Sequence, residues 1–275
     1  MPATDPKLLG TNDFGLLSRL MDTAKRWVFA VQAYALLASR SVTNVFSSPH
    51  YIPDLLEQMD VIGVGSLPIA VFSGAFIGAV MVLQTAAQFA RYGQTALTGD
   101  AVAVGLVREL GPTITGLLVA GRNSSGIASE LGSMLVTEQV DAMRAMGTDP
   151  TRKLVTPRVM ATVLMLPLLV AVADFSGLVG GSIISAASQN LGPVQFWHRA
   201  VNSLDFSDIM QGMVKPVVFG FILATVGCYY GLTVRGGTQG VGRATTQAVV
   251  AASMMILAMD FFLGKLLLFL AGHVF

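Results

Sequence analysis

Six ionisable side chains fall inside or at the edges of long apolar runs: Arg108, Glu109, Asp174, Lys215, Asp260 and Lys265. Their formal charges sum to zero. A charge at the bilayer centre costs about 2.5–3.5 kcal/mol on insertion scales, so such residues face a polar cavity or a partner on another helix. Arg108 and Glu109 are adjacent, so they point about 100° apart on a helix and do not simply neutralise each other. Each needs a partner on another helix, and Lys215 and Asp260 are the candidates. Two uses fit these charges and are compatible: interhelical salt bridges that hold a bundle, or the polar lining of a substrate cavity. Lys265 lies near the end of the last run and can snorkel to the interface.

Other chemistry is poorly served. His50, His198 and His273 are far apart and lack ligand spacing, so no metal site is expected. Cys228 sits among Val226, Gly227, Tyr229 and Tyr230 and reads as a small packed residue. Ser124 and Ser125 lie near Arg122 but have no histidine nearby, so no nucleophile–base pair is indicated. The stretch Gly236-Gly237-Thr238-Gln239-Gly240-Val241-Gly242-Arg243 lacks the GxxxxGK[ST] pattern and reads as a flexible cytoplasmic connection. The chain is therefore expected to have no catalytic residue and to bind no cofactor. Any ATP must be hydrolysed on a separate subunit.

The elements that position these charges follow from composition. Hydrophobic residues make up 53% of the 275, charged residues 12%, and mean hydropathy is +0.66. Soluble domains carry about 25% charge, so this chain reads as a polytopic membrane protein. A net charge of +1 with no basic face argues against nucleic acid. Five spans are expected: Val61 to Ala90, roughly 101–120, from Val159 into the 180s, roughly 214–234 and roughly 244–270. Gly74 and Gly78 form a GxxxG face suited to close helix packing. Gly111-Pro112 should break the second span.

Ahead of the spans, Leu16, Leu17, Leu20 and Met21 oppose Arg19, Asp22 and Lys25, and Trp27 follows Lys25-Arg26. This reads as a helix lying in the membrane interface rather than a cleaved signal. The organisation is then an N-terminal region, 1–55, with that interfacial helix, and a transmembrane domain, 56–275. The fold class is all-α integral membrane, with five transmembrane helices.

Loop charges orient the bundle. Lys7, Arg19, Lys25, Arg26 and Arg40 precede the first span. Arg122, Arg144, Arg152, Lys153 and Arg158 lie between the second and third, and Arg235 and Arg243 between the fourth and fifth. The opposite side holds only Arg91 and Arg199. The positive-inside bias places the N-terminus and the 122–158 loop in the cytoplasm and the C-terminus outside.

Segment 122–147 has helical spacing but is too polar to span. Ile127, Leu131, Met134, Leu135, Val140, Met143 and Met146 can form one broad apolar surface, opposite Glu130, Glu138, Asp141 and Arg144. An ordinary surface helix and a coupling helix that plugs into a partner protein both fit. The stretch Glu138 to Gly147 loosely resembles the loop by which ABC-type permeases grip their ATPases.

The motifs taken together carry a more specific resemblance. Arg108-Glu109-Leu110-Gly111-Pro112, Ala120-Gly121-Arg122, Glu130-Leu131-Gly132-Ser133-Met134, Thr137-Glu138-Gln139, Met143, Met146, Asp149-Pro150, Pro157-Arg158, Pro167-Leu168-Leu169, Gly242-Arg243-Ala244-Thr245-Thr246 and Met259-Asp260-Phe261 resemble the MlaE-type (YrbE-like) permeases, from about residue 55 to the C-terminus.

The resemblance implies the membrane subunit of an ABC transporter that moves phospholipids or other hydrophobic lipids between membranes, located in the inner membrane. It implies a homodimer, two cytoplasmic ATPase subunits carrying ATP and Mg, and an outer ring of MCE-domain proteins. A STAS-domain subunit joins some such systems. It implies an ATPase contact through Glu130, Met134, Thr137, Glu138, Gln139, Asp141, Met143, Arg144 and Met146. It marks Arg108, Glu109, Lys215, Asp260 and Arg243 as the polar residues to test, with Asp174 the departure from some relatives. In such a cavity Leu, Val and Met would meet lipid tails, and Arg or Lys a phosphate.

Two rival readings remain on the sequence. A stand-alone, ion-coupled secondary transporter of an amphipathic substrate would use Glu109, Asp174 and Asp260 as proton or cation sites. A non-transporting scaffold would merely anchor an ATPase.

Overall fold

Small residues decide how these helices approach each other. The computed structural model describes residues 12–45, 47, 51–188, 192–270 and 272. Every regular element among them is helical. Helices α1 (Asn12–Val45), α2 (Ile52–Ile62) and α3 (Leu67–Ala90) are followed by α4 (Thr98–Gly105), α5 (Gly111–Val136) and α6 (Gln139–Ala145). Then come α7 (Thr156–Ser188), α8 (Pro193–Asn202), α9 (Phe206–Leu232) and α10 (Gly237–Leu270). Five stretches are long and apolar enough to cross a membrane: Ile52–Ala90, Thr95–Val136, Thr151–Ala187, Phe206–Leu232 and Gly237–Leu270.

The tightest pair is α3 against α7. A Cβ on Gly74 would overlap the Ala173 carbonyl, one on Gly78 the Gly177 carbonyl, and one on Gly180 the Ala75 carbonyl. The GxxxG face is thus met by glycines from the other side, backbone on backbone. The remaining core joins α5, α7, α9 and α10 around Val119, Leu166, Leu169, Phe219, Leu223 and Ile256. Helix α10 enters it through one narrow stripe, Ala244, Ala248, Ala252 and Ile256, and exposes Met254, Leu257, Phe261, Phe262, Leu266 and Phe269.

The expected break at Gly111-Pro112 takes the form of a π turn over Leu106–Leu110. Proline at the second position of α5 cannot donate to a carbonyl in the preceding turn, and a widened turn absorbs the mismatch. The same device recurs over Thr151–Val155, immediately before Thr156-Pro157.

Several expected boundaries move. Helix α5 runs unbroken to Val136 with Asn123, Ser124, Ile127, Ala128, Leu131 and Gly132 buried, so most of 122–147 continues the second span rather than forming a separate helix. The 42 residues of Thr95–Val136 reach roughly 60 Å at helical rise, about twice the hydrocarbon thickness. The polar lower half of α5 therefore extends beyond the lipid while its inner face stays packed. Only α6 is a separate helix, entered through Glu138 at φ 62° and left through Gly147 at φ 77°.

The fourth span starts at Phe206, ahead of the expected 214, and the third at Thr151. The glycine-rich stretch after the fourth span is not a loose connection. Gly236 and Gly237 turn the chain at positive φ, and the residues after them form the first turns of α10.

Near the N-terminus, α1 docks its later half on the bundle. The Tyr34 hydroxyl hydrogen-bonds Thr225 Oγ1 at 2.9 Å, and its ring meets Tyr229 edge-on. Burial raises the Tyr34 pKa above its ordinary value, and the Thr225 hydrogen bond works against that shift. Lys7, His50, His273 and the side chains of Leu16, Leu17, Arg19, Leu20, Arg26 and Trp27 lie outside the described residues.

The α3–α7 contact yields a stability prediction. Gly78→Val should lower the stability of the detergent-solubilised protein by about 1–3 kcal/mol, the usual range for overpacking. Gly126→Ala, whose Cβ would meet open space, should leave it unchanged or slightly raised. Thermal unfolding of the two variants side by side checks this. An unaltered midpoint for Gly78→Val would remove backbone contact as the organising feature.

Candidate functional site

Glu109, Lys215 and Asp260 arrive from three different helices and meet. Glu109 lies in the π turn before α5, Lys215 in the middle of α9 and Asp260 on the inner edge of α10. The Lys215 ammonium has 0% exposure and is held by Glu109 Oε2 and, at 3.0 Å, by Asp260 Oδ1. The Glu109 side chain is 46% exposed and that of Asp260 20%. Gly264, one turn beyond Asp260, lies beside the triad. A Cβ there would stand 3.7 Å from Lys215 Nζ and 3.8 Å from Glu109 Oε1.

Arg108 turns away from this triad, as adjacency on a helix requires. It pairs with Asp208 Oδ1 at 3.5 Å. Asp208 is committed on its other oxygen too: Oδ2 accepts the Asp205 backbone N–H at 3.2 Å, completing a capping box at the start of α9. Gln211 lies on the same face of α9, between Asp208 and Lys215. It is buried, and its Oε1 has no hydrogen-bond partner.

Asp174 stands apart from the ion pairs. Its carboxyl packs directly on the Cα of Gly111, where a Cβ would collide with Oδ1, and that oxygen has no hydrogen-bond partner. Arg243 is also separate. It sits exposed on the second turn of α10 beside Gln239, Thr246 and Gln247. Seventeen residues of helix divide it from Asp260, roughly 25 Å at helical rise.

Sequence reasoning therefore finds Lys215 as a partner of Glu109, but offers Asp260 as a partner for the Arg108–Glu109 pair and not for Lys215, which Asp260 in fact joins. It misses Asp208 as the partner of Arg108, although Asp205-Phe206-Ser207-Asp208 before an apolar run is a readable capping signal. An ammonium enclosed by two carboxylates offers nothing to a phosphate in this conformation.

At the other end of α5, the candidate coupling residues divide into two groups. Val140 is fully buried and Met143 and Met134 are partly buried, packed with Ile127, Leu131, Leu154 and Val155. These side chains pin the hairpin to the bundle. Thr137, Glu138, Gln139, Asp141, Arg144 and Met146 face outward, Met146 with 74% exposure.

Glu130 is bound to the buried Arg158 at 2.9 Å, tying α5 to α7 at the hairpin base. Two further clamps were not anticipated. Lys153 bridges to Asp54 at 3.1 Å and lies over the Tyr51 ring. Arg122 reaches the break between α2 and α3, donating to Ser66 Oγ at 2.8 Å and the Val61 carbonyl at 3.3 Å.

The triad predicts a non-additive stability pattern. Lys215→Met alone should strand two carboxylates and cost about 3–5 kcal/mol. Adding Glu109→Gln and Asp260→Asn should recover most of that loss, because the neutral set no longer needs the ammonium. Unfolding midpoints of the single and triple variants in one detergent test this. A triple variant no more stable than the single would show that the charges do not depend on each other.

The chain matches known proteins over most of its length. The family model described as "Permease MlaE" matches residues 55–266. A "Probable ABC transporter permease protein" of Rickettsia typhi is 37% identical over 238 residues, covering 86% of this chain and 92% of its own. One of the same description from Synechocystis is 42% identical over 212 residues, covering 77% and 81%. The intermembrane phospholipid transport system permease protein MlaE of Haemophilus influenzae is 36% identical over 214 residues, covering 78% and 82%. Five apolar spans and a match over most of the chain lead to one conclusion: the protein belongs to the MlaE permease family, as a multi-pass, non-enzymatic subunit of the ABC-transporter type.

Proposed function

We propose that this chain is the permease of an ABC transporter that moves phospholipids or related hydrophobic lipids between membranes. ATP and Mg act on a separate cytoplasmic ATPase. The observation that carries the reading is the hairpin after the second span, within a chain of the MlaE family. Its short helix α6 presents Glu138, Gln139, Asp141, Arg144 and Met146 outward while Val140 and Met143 bind it to the bundle. A helix anchored on one face and polar on the other suits a partner that pushes.

Two copies of the chain would form the core. The exposed apolar face of α10, which includes Phe261, Phe262, Leu266 and Phe269, supports burial against a second copy or lipid. Two ATPase subunits would sit beneath, an MCE-domain ring outside, and a STAS-domain subunit would join in systems that have one. The N-terminus and α6 would be cytoplasmic and the C-terminus outside, as the distribution of Lys and Arg favours. Closure of the ATPases would press α6, and the clamped α5 and α7 would carry the movement to the triad. The ion-coupled alternative is not favoured, because the family is one of ABC permeases.

Charge reversal at the outward face tests the coupling role. Glu138→Lys with Arg144→Glu should reduce co-purification of the ATPase at least severalfold while the permease still inserts. Met143→Asp should instead destabilise the permease itself, because that side chain faces inward. Liposomes holding the permease alone should move no lipid on addition of ATP. Full ATPase capture by the outward double variant would defeat the coupling role, and gradient-driven transport by the lone chain would restore the ion-coupled alternative.

A further inference from the structure

Two ion pairs hold the π turn that begins α7, each from a different helix. Thr156 closes that turn, its backbone N–H and its hydroxyl both donating to the Thr151 carbonyl. From α5, Glu130 reaches the turn through Arg158. Nη2 meets Glu130 Oε2 at 2.9 Å, and Nη1 donates to the Leu154 carbonyl, inside the turn, at 2.7 Å. From α2, Asp54 reaches the turn through Lys153 at 3.1 Å. The turn thus stands between the long rod of α5 and the element that opens the first span.

Stability alone is a poor account of Arg158. Its side chain is 5% exposed, and its neighbours Val155 and Val159 belong to a buried apolar cluster with Ile127, Leu131 and Val140. Its Nε is buried without a hydrogen bond. A buried donor left without a partner costs stability, and an apolar pair of similar volume commonly serves as well as a buried ion pair. What the guanidinium adds is direction. Bonded at once to a carboxylate of α5 and a carbonyl of the turn, it ties the position of one to the other. Glu130 lies less than two turns of helix from the end of α5 at Val136, where the hairpin carrying α6 begins.

Resting on the ABC-permease reading above, we infer that Glu130 and Arg158 are positioning residues that pass the load placed on α6 from α5 to the π turn of α7, and through Lys153 and Asp54 to α2. Glu130 then acts inside the permease and is not a contact of the ATPase.

The test follows backbone hydrogen exchange in the full-length permease bound to the ATPase that co-purifies with it, with and without adenylyl imidodiphosphate. Deuterium uptake is read over 139–145, 151–155 and 52–62. In wild type the nucleotide should change the exchange rate of all three segments by about threefold or more, as a shifted local opening equilibrium does. Glu130→Gln should capture as much ATPase and keep the response over 139–145, while the responses over 151–155 and 52–62 are lost. Glu130→Gln with Arg158→Met removes the buried charge together with its partner. Its unfolding midpoint should equal or exceed that of wild type, yet the two distal responses should stay lost.

Reduced ATPase capture by Glu130→Gln would give that carboxylate to the partner interface and overturn the inference. A response over 151–155 that Glu130→Gln leaves intact, or that returns with the midpoint in the double variant, overturns it too. So does a wild type in which 139–145 responds and 151–155 does not. In each of these cases the ABC-permease reading stands. A wild type that captures no ATPase, or captures it without any response over 139–145, overturns the coupling role of α6 and the inference together.

Discussion

An ammonium with no access to water or lipid headgroups has to be neutralised where it stands, and Lys215 meets that condition with one carboxylate from each side. Removing two ions from water costs several kcal/mol per ion, and only good geometry with further partners offsets it. The bundle is organised around that requirement. The π turn must hold Glu109 over α9, α10 must approach closely enough for Asp260 to reach, and α9 must present Lys215 toward both. Loss of any one contact exposes the others to an unpaired charge, so a polar point fixes the register of three helices that also share an apolar core.

Glycine provides the closeness that the charges need. Gly111 leaves room on α5 for the Asp174 carboxyl, and Gly212 allows α9 to lie on the Val107 carbonyl within the π turn. In lipid there is no hydrophobic drive to bring helices together, so close backbone approach has to come from small residues and polar contacts. The α3–α7 pair shows the same solution without charges: Gly74 and Gly78 on one helix, Gly177 and Gly180 on the other. The α3–α7 pair is therefore joined by backbone packing, α5, α9 and α10 by an apolar core with ion pairs added to it, and α7, which packs on both, links the two.

Much of this was legible in the sequence. Five long apolar runs announce five spans, and charges that cannot stay unpaired in lipid announce the need for contacts, so Glu109, Lys215 and Asp260 could be marked before any coordinates, together with Arg108, which the structure gives to Asp208 instead. What stayed hidden lies at the ends of helices. Apolar runs mark where lipid begins and say little about where a helix stops, so α5 and α9 extend past the runs that revealed them. Asp208 fell outside the fourth run for that reason, and the partner of Arg108 went with it. Periodicity grouped Val140, Met143 and Met146 on one surface. The left-handed Glu138 breaks the helix before them, and the break turns Val140 inward and leaves Met146 outward. Single-residue backbone reversals of this kind carry no periodic signal, and a non-glycine residue at positive φ is the hardest of them to foresee.

The two polar ends of α5 are mechanically one object. From Gly111 to Val136 the helix has no interior proline beyond its first turn and no widened turn, and its 26 residues span about 39 Å. Ser124 Oγ bonds the Leu223 carbonyl of α9 at 2.9 Å, and Glu130 bonds Arg158 of α7 at 2.9 Å, so the rod is gripped along its length. Compliance is confined to its upper end, where the π turn carries Arg108 and Glu109, and to the matching π turn at 151–155 that begins α7. A displacement applied at α6 cannot be absorbed in the middle of such a rod. If α6 is the proposed ATPase contact, that displacement would emerge at the π turn that carries Glu109, and the length of α5 would then serve transmission rather than separation.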